Sequence, residues 1–285
     1  MNKLVDFTKC REEINEYKGS EKKKTLIFDG KKYLVKFPDP LRKKNKNISY
    51  INNAFSEYIG SHIFEIIGIK TQNTILGKYN INDKIKIVCA CEDFTTDTKI
   101  LYEFENLTNS TMVDKKVDTE ISDIIEVIKE NDNIIDVSDT IKNFWKMFIV
   151  DSLIGNTDRH NGNWGFIKDN ETGKITFSPI FDCGSCLNPL LEDADLEKLD
   201  EVELKNLALN CYSCLKEDGK KINYFTYISS KKNEECNKAL KEIVGKIDMN
   251  KINNMIDEID CISEVRKDFY KNILNKRFKI LNELV

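Results

Sequence analysis

An α+β fold of two lobes, β-rich at the N-terminal end and mainly helical beyond, is the architecture this sequence predicts. Three observations carry it. Residues 25–90 alternate with the period of strands around one helical interruption. From about Phe94 the apolar period becomes that of helices, and no Gly/Ser/Pro-rich linker separates the two regimes. At 285 residues the chain is about twice the usual ~150 residues of a domain, so two packed lobes fit its length. The expected division is 1–94 for a sheet with one helix and 95–285 for the helical lobe.

The elements follow in order. Residues 25–28 and 33–37 flank Asp29-Gly30, a pair suited to the positive backbone dihedrals of a tight hairpin turn, and Pro38 and Pro40 close the second strand. Asn52-Asn53 is placed to cap a helix whose Phe55, Ile59, Ile63 and Ile66 share one face, with Gly68 at its C-terminal end. Glu57 and His62 lie on it. Strands are expected at 74–77 and 84–90, with 80–83 as their loop. Helices are expected at 122–129, 139–153, 197–209, 234–243, 250–259 and 263–284. The lysine-rich stretches 22–24 and 42–46 read as solvated loops.

Composition narrows the function. Hydrophobic residues at 40% and charged residues at 32%, with only 4 Pro, describe a globular chain. Lys+Arg 44 against Asp+Glu 48 gives a net charge of -4, so no nucleic acid partner is expected. No apolar run approaches the ~18 residues of a membrane span, and the start of the chain lacks the apolar stretch of a signal peptide, so synthesis in the cytosol is expected. Nine cysteines, an odd number without that signal, read as reduced thiols. Cys183, Cys186, Cys211 and Cys214 form a pair of CxxC knuckles that could hold zinc, but their separation exceeds the usual ribbon spacing. Cys89 and Cys91 read as small apolar strand residues.

Residues 153–166 carry the chemistry. This loop follows a strongly apolar helix and holds more polar side chains than a turn needs, although a capped Asx-rich turn remains the plain reading. Asp158 and Asn163 stand five apart, the spacing that sets a carboxylate beside an acceptor hydroxyl and an amide oxygen on a metal in phosphoryl transfer. A hairpin, 166–168 and 174–177, then leads to Pro179-Ile180-Phe181-Asp182-Cys183-Gly184, returning Asp182 on a strand end beside Asp158. Magnesium takes few protein ligands, and Asn163 with Asp182 would serve ATP-bound Mg²⁺. Upstream, Lys36 on its strand could hold phosphates with Glu57 as its ion-pair partner, and Gly19-Ser20 with Lys22 and Lys23 could close over them.

The chain resembles the HipA-like serine/threonine kinases, and among them the short bacterial cell-translocating kinase A group. The resemblance is carried by Tyr33-Leu34-Val35-Lys36-Phe37-Pro38, Phe55-Ser56-Glu57-Tyr58, Cys91-Glu92-Asp93-Phe94, Asp158 to Phe166, Pro179 to Leu187 and Lys220 to Tyr224. It implies a protein-kinase-like fold, ATP and Mg²⁺ as cofactors, and a protein bearing Ser or Thr as substrate. It also implies Asp158 as catalytic base, Asn163 and Asp182 as magnesium ligands, and Lys36 on the phosphates. Glu92 and Phe94 become the hinge that meets adenine, and His160 a wall of the nucleotide site. Self-modification of a serine is a further implication, with Ser20 the candidate and Ser56 or Ser185 as alternatives. The group's members enter host cells as effectors, a role for which this sequence shows no signal. The extra N-terminal subdomain through which larger HipA toxins meet their antitoxin is not expected here, and neither is a toxin-antitoxin role. Asp158-Arg159-His160-x-x-Asn163 is also how phosphoinositide kinases write this loop, so a lipid kinase stays open, as does a silent nucleotide-binding module.

Overall fold

The computed structural model describes residues 4–14, 23–38, 52–111 and 118–285. Gly19, Ser20, Lys22 and the 42–46 stretch lie outside them. Four strands, β1 (Val5–Asp6), β2 (Arg11–Glu13), β3 (Lys23–Phe28) and β4 (Lys31–Lys36), precede helix α1 (Asn53–Ile66), and β5 (Thr74–Ile81) and β6 (Lys84–Glu92) follow it. They form one sheet in the order β1-β5-β6-β4-β3-β2, antiparallel except where β1 runs parallel to β5. The turn at Asp29-Gly30 has both φ angles positive, 49° and 73°, as its composition implied. Strands β1 and β2 are too short to show a period, and Lys23 and Lys24 belong to β3 instead of a loop. Lys24 is half-buried and pairs with Glu12 at 2.6 Å.

Strand alternation sorts the sheet's faces. Leu26, Val35, Phe37, Val88 and Ala90 pack with Phe7 on one face. Cys89 and Cys91, one residue out of phase on β6, meet Ala54 of α1 on the other. That second face holds α1 against the rest of the molecule, whose main core takes in Phe55, Ile59, Ile63 and Phe64.

Beyond β6 come β7 (Lys99–Glu103), α2 (Phe104–Thr111), α3 (Ile121–Glu130), α4 (Val137–Ile154), β8 (Gly165–Asp169) and β9 (Ile175–Phe177). Strands β7, β8 and β9 make a second sheet. Helix α4 is the central rod. Asp136 caps its start by accepting the Asp139 N–H, and Gly155, at φ 69°, ends it in the left-handed conformation glycine adopts without strain. Its Phe144, Trp145 and Phe148 lie in an aromatic cluster with Trp164, Tyr224 and Tyr227. Each such buried ring contributes roughly 2–3 kcal/mol.

The chain continues through α5 (Asp193–Leu196), α6 (Glu201–Leu209), β10 (Tyr212–Glu217), β11 (Lys220–Asn223), α7 (Tyr224–Ser229), α8 (Glu234–Val244), α9 (Met249–Asp257) and α10 (Glu264–Glu283). The helix expected over 197–209 starts only at Glu201, because Asp200 accepts the N–H groups of Val202 and Glu203 and caps it there. The β10–β11 hairpin turns on Asp218-Gly219, a signal the sequence did carry. Pro179 to Phe181 form no strand; a single parallel bridge, Thr71 to Ile180, sets the path into Asp182.

Helix α1 is fastened to the helical lobe. The Asn52 side chain caps nothing; its amide donates to the carbonyls of Pro189 at 3.3 Å and Leu191 at 3.1 Å. The Cys186 thiol donates to Ser56 O at 3.2 Å, and Ser56 itself is fully buried. A Cβ on Gly60 would stand 2.7 Å from Cys183 Cβ. Gly60→Ala should therefore destabilise the protein by about 1–3 kcal/mol through overpacking, although alanine improves helix propensity by about 1 kcal/mol. Thermal unfolding checks this: Tm should fall, and a rise would show that α1 and the Cys183 segment separate freely.

Candidate active site

Lys36 ends β4 on the face opposite Val35 and Phe37. Its ammonium donates to Glu57 Oε2 at 2.8 Å and to Asp182 Oδ1 at 2.7 Å. Glu57 is fully buried on α1, and its second oxygen accepts the Cys183 N–H at 3.0 Å. One carboxylate thus ties Lys36 to the backbone just after Asp182. Burial works against charge on Asp182, and Lys36 outweighs it, holding the carboxyl below its ordinary value. Asp182 has φ 57°, a left-handed conformation that costs a non-glycine residue of order 1 kcal/mol and that surrounding contacts must hold.

Those contacts come from Arg159, which is fully buried. Its Nε and Nη2 donate to the two oxygens of Asp151 at 2.9 and 3.0 Å. Its Nη1 donates to Asn163 O at 2.7 Å, to Phe181 O, and to Asp182 O at 3.3 Å. One planar group therefore joins the end of α4, the loop and the returning segment. Burial raises the Asp151 carboxyl and opposes charge on Arg159, yet the carboxylate's attraction holds the guanidinium well above its usual value. Burial also pushes the neighbouring Cys183 thiol up to about 12.

The loop is braced internally. Asn156 Oδ1 accepts the Asp158 N–H at 3.1 Å, and its amide donates to Asp151 at 3.2 Å. The Asn163 amide donates to Asp158 O at 2.8 Å. That commitment leaves Oδ1 as the atom Asn163 can offer a cation. Among the described residues no group of three or more His, Cys, Asp and Glu could hold a metal, so the four knuckle cysteines do not assemble. The oxygen pair of Asn163 and Asp182 fits a hard ion completed by phosphate and water.

Lys36, Asp182 and Asn163 line one cleft between the sheet and the helical lobe, with Lys23, Leu34, Gln72, Asp93, Phe94 and Gly162. A hollow by Tyr58 and Met255 has no cationic side chain in its lining and carries Glu258 and Asp260, which repel phosphate. Phe94 lines the cleft. The Glu92 N–H is taken by Asn73 O at 2.8 Å, its carbonyl accepts the Gln72 amide at 3.0 Å, and its side chain pairs with Lys31. Glu57 stands behind Lys36 and outside the lining. His160 is exposed beside the cleft, its Nδ1 accepting the Gly162 N–H at 3.0 Å. Gly19 and Ser20 fall outside the described residues.

Sequence reasoning missed Gln72, Asp151 and the clamp role of Arg159. Asp151 had a signal: a lone carboxylate inside the apolar run 147–154 asks for a buried cation. Asp151→Asn keeps the shape but leaves Arg159 buried without a counter-charge, and should cost about 3–5 kcal/mol. Urea unfolding measures it; a loss below about 1 kcal/mol would mean that solvent reaches the guanidinium.

Comparison with known proteins identifies the family and the fold. The model of the HipA-like C-terminal domain matches residues 17–259. The serine/threonine-protein kinase CtkA of Helicobacter pylori (strain J99) is 40% identical over 283 residues, covering 96% of this chain and 85% of that protein. The crystal structure of a Helicobacter pylori proinflammatory kinase CtkA superposes with a TM-score of 0.89 at 37% identity, over 98% of this chain and 97% of the other. A HipA, HipB and operator DNA complex from Shewanella oneidensis MR-1 shares the fold, with a TM-score of 0.53 at 12% identity, over 92% of this chain and 63% of that one. With the matched region spanning both the Lys36 strand and the Asp182 segment, the chain belongs to the HipA-like C-terminal domain family.

Proposed function

We propose that this chain is a serine/threonine protein kinase of HipA-like type, moving the γ-phosphoryl group of ATP to a Ser or Thr hydroxyl of a protein. The observation that carries this is the contact of Lys36 with both Glu57 and Asp182 in the cleft that Asn163 lines. Residues 1–94 then form the nucleotide lobe and 95–285 the helical lobe, with the hinge at Glu92 to Phe94.

Each residue has a task. Leu34 and Phe94 supply apolar walls for a base, and its polar partners would come from the Phe94 backbone, since the N–H groups of Glu92 and Asp93 and the Glu92 carbonyl are already taken. Lys36 is held by Glu57, so its ammonium is oriented before phosphate arrives. Magnesium bound by Asn163 Oδ1 and Asp182 would neutralise phosphate charge. Asp158, held by the Asn156 and Asn163 bonds to its backbone, accepts the proton of the attacking hydroxyl. Arg159 keeps that loop and Asp182 at fixed separation. No helix among the described residues is long and apolar enough to cross a membrane.

Asp158→Asn and Asp182→Ala should each lower turnover by about 10³-fold or more, with ATP binding retained in Asp158→Asn and weakened in Asp182→Ala. Chelation should abolish transfer and Mg²⁺ restore it, without unfolding the protein. Radiolabelled ATP with protein and phosphoinositide acceptors in parallel tests the substrate class. Label on lipid alone would move the assignment to a lipid kinase, and no label on either would leave a nucleotide-binding module.

A further inference from the structure

The Cys211-Tyr212-Ser213-Cys214 segment holds no metal cluster, and the fold gives its second cysteine a different place. Strands β10 and β11 pair Tyr212 with Asn223 and Lys216 with Lys221, so β10 advances four residues while β11 advances two. The extra residues form a bulge, the device by which a strand re-aims a side chain. Ser213 Oγ accepts the Leu215 N–H at 3.1 Å and stiffens it. The hairpin is anchored at both ends. The Lys216 N–H donates to Thr119 O at 2.8 Å and its ammonium meets Asp118 at 2.6 Å. The Tyr224 hydroxyl, just past β11, donates to Asn156 O at 2.7 Å.

The bulge turns Cys214 toward the loop. Its thiol donates to Thr157 O at 3.0 Å, and its sulfur lies 3.8 Å from Asp158 Oδ1. A thiol carries one proton and serves one acceptor at a time; Thr157 O is the nearer, and Asp158 Oδ1 lies at the long end of what a sulfur donor reaches. Among the described residues no other side chain reaches the Asp158 carboxylate within hydrogen-bonding range.

We propose that Cys214 is a positioning residue for Asp158. Its thiol holds the carbonyl immediately before the base, and its sulfur covers Oδ1, leaving Oδ2 to meet the acceptor hydroxyl. Burial first, and Asp158 second, push the thiol up to about 11, so it stays a neutral donor near pH 7 and puts no second charge beside the carboxylate. This inference rests on Asp158 being the base.

Steady-state kinetics on the full chain, with Mg²⁺, ATP and dephosphorylated casein, provide the test. Cys214→Ala should lower kcat about 10- to 100-fold, the scale of a misplaced reacting group, while KM for ATP stays unchanged. Cys214→Ser, which keeps a donor to Thr157 O, should recover most of the rate. Cys214→Val fills the space without a donor and should behave as Cys214→Ala, which covers the case of an alanine variant that does not fold. In an Asp158→Asn background, Cys214→Ala should change residual turnover no further, because a residue that acts through the base has nothing left to position. Wild-type kcat in Cys214→Ala, or equal losses in both backgrounds, would overturn the proposal. Wild-type turnover in Asp158→Asn alone is a separate result, and it would remove the base assignment itself.

Discussion

The buried pair of Asp151 and Arg159 is the interaction on which the site depends. Taking two ions out of water costs several kcal/mol each, and a matched apolar pair would serve stability as well. What apolar side chains lack is direction. The guanidinium fork reaches a carboxylate on one side and the carbonyls of Asn163, Phe181 and Asp182 on the other. The pair therefore converts the end of one helix into a fixed distance between the loop of Asp158 and the segment of Asp182. A strained φ at Asp182 persists because this group and Lys36 hold it from opposite sides.

Helix α1 carries the same logic across the lobes. It belongs by sequence to the sheet and by packing to the main core. Pulling it from the helical lobe would strip partners from the Cys183 N–H, the Asn52 amide and the Glu57 carboxylate, at about 1–3 kcal/mol for each buried group. The orientation of Lys36 thus rests on the helical lobe although its strand lies in the other. A glycine at position 60, which a helix interior disfavours, is the local cost of that close approach.

The cysteines separate local pattern from tertiary placement. Their CxxC spacing is a metal motif on paper. In the fold Cys183 receives an Arg159 N–H, Cys186 bonds to α1, and Cys214 turns toward the Asp158 loop. The spacing is real, but hairpin and loop aim the thiols at different neighbours. Lys23 and Lys24 make a similar point: a run of lysines looks solvated until an antiparallel partner strand claims it.

By itself the sequence determined strands β3 to β6, helix α1, the β8–β9 hairpin and the longer helices α3, α4, α6, α8, α9 and α10 in order, the turn at Asp29-Gly30, and the chain positions of Lys36, Glu57, Asp158, Asn163 and Asp182. These are legible because alternation, helical period and a five-residue spacing are properties of neighbouring residues. Tertiary structure alone decided that Asp151 faces Arg159, that Gln72 occupies the Glu92 carbonyl, that Asn52 reaches Pro189 instead of capping its helix, and that a bulge brings Cys214 to Thr157. Lys36 meets Asp182 across 146 residues and Cys214 meets Thr157 across 57. Separations of that size leave no period in the chain. They are set by how the sheets, α1 and α4 pack, where burial leaves each polar group only the partners that the other elements bring.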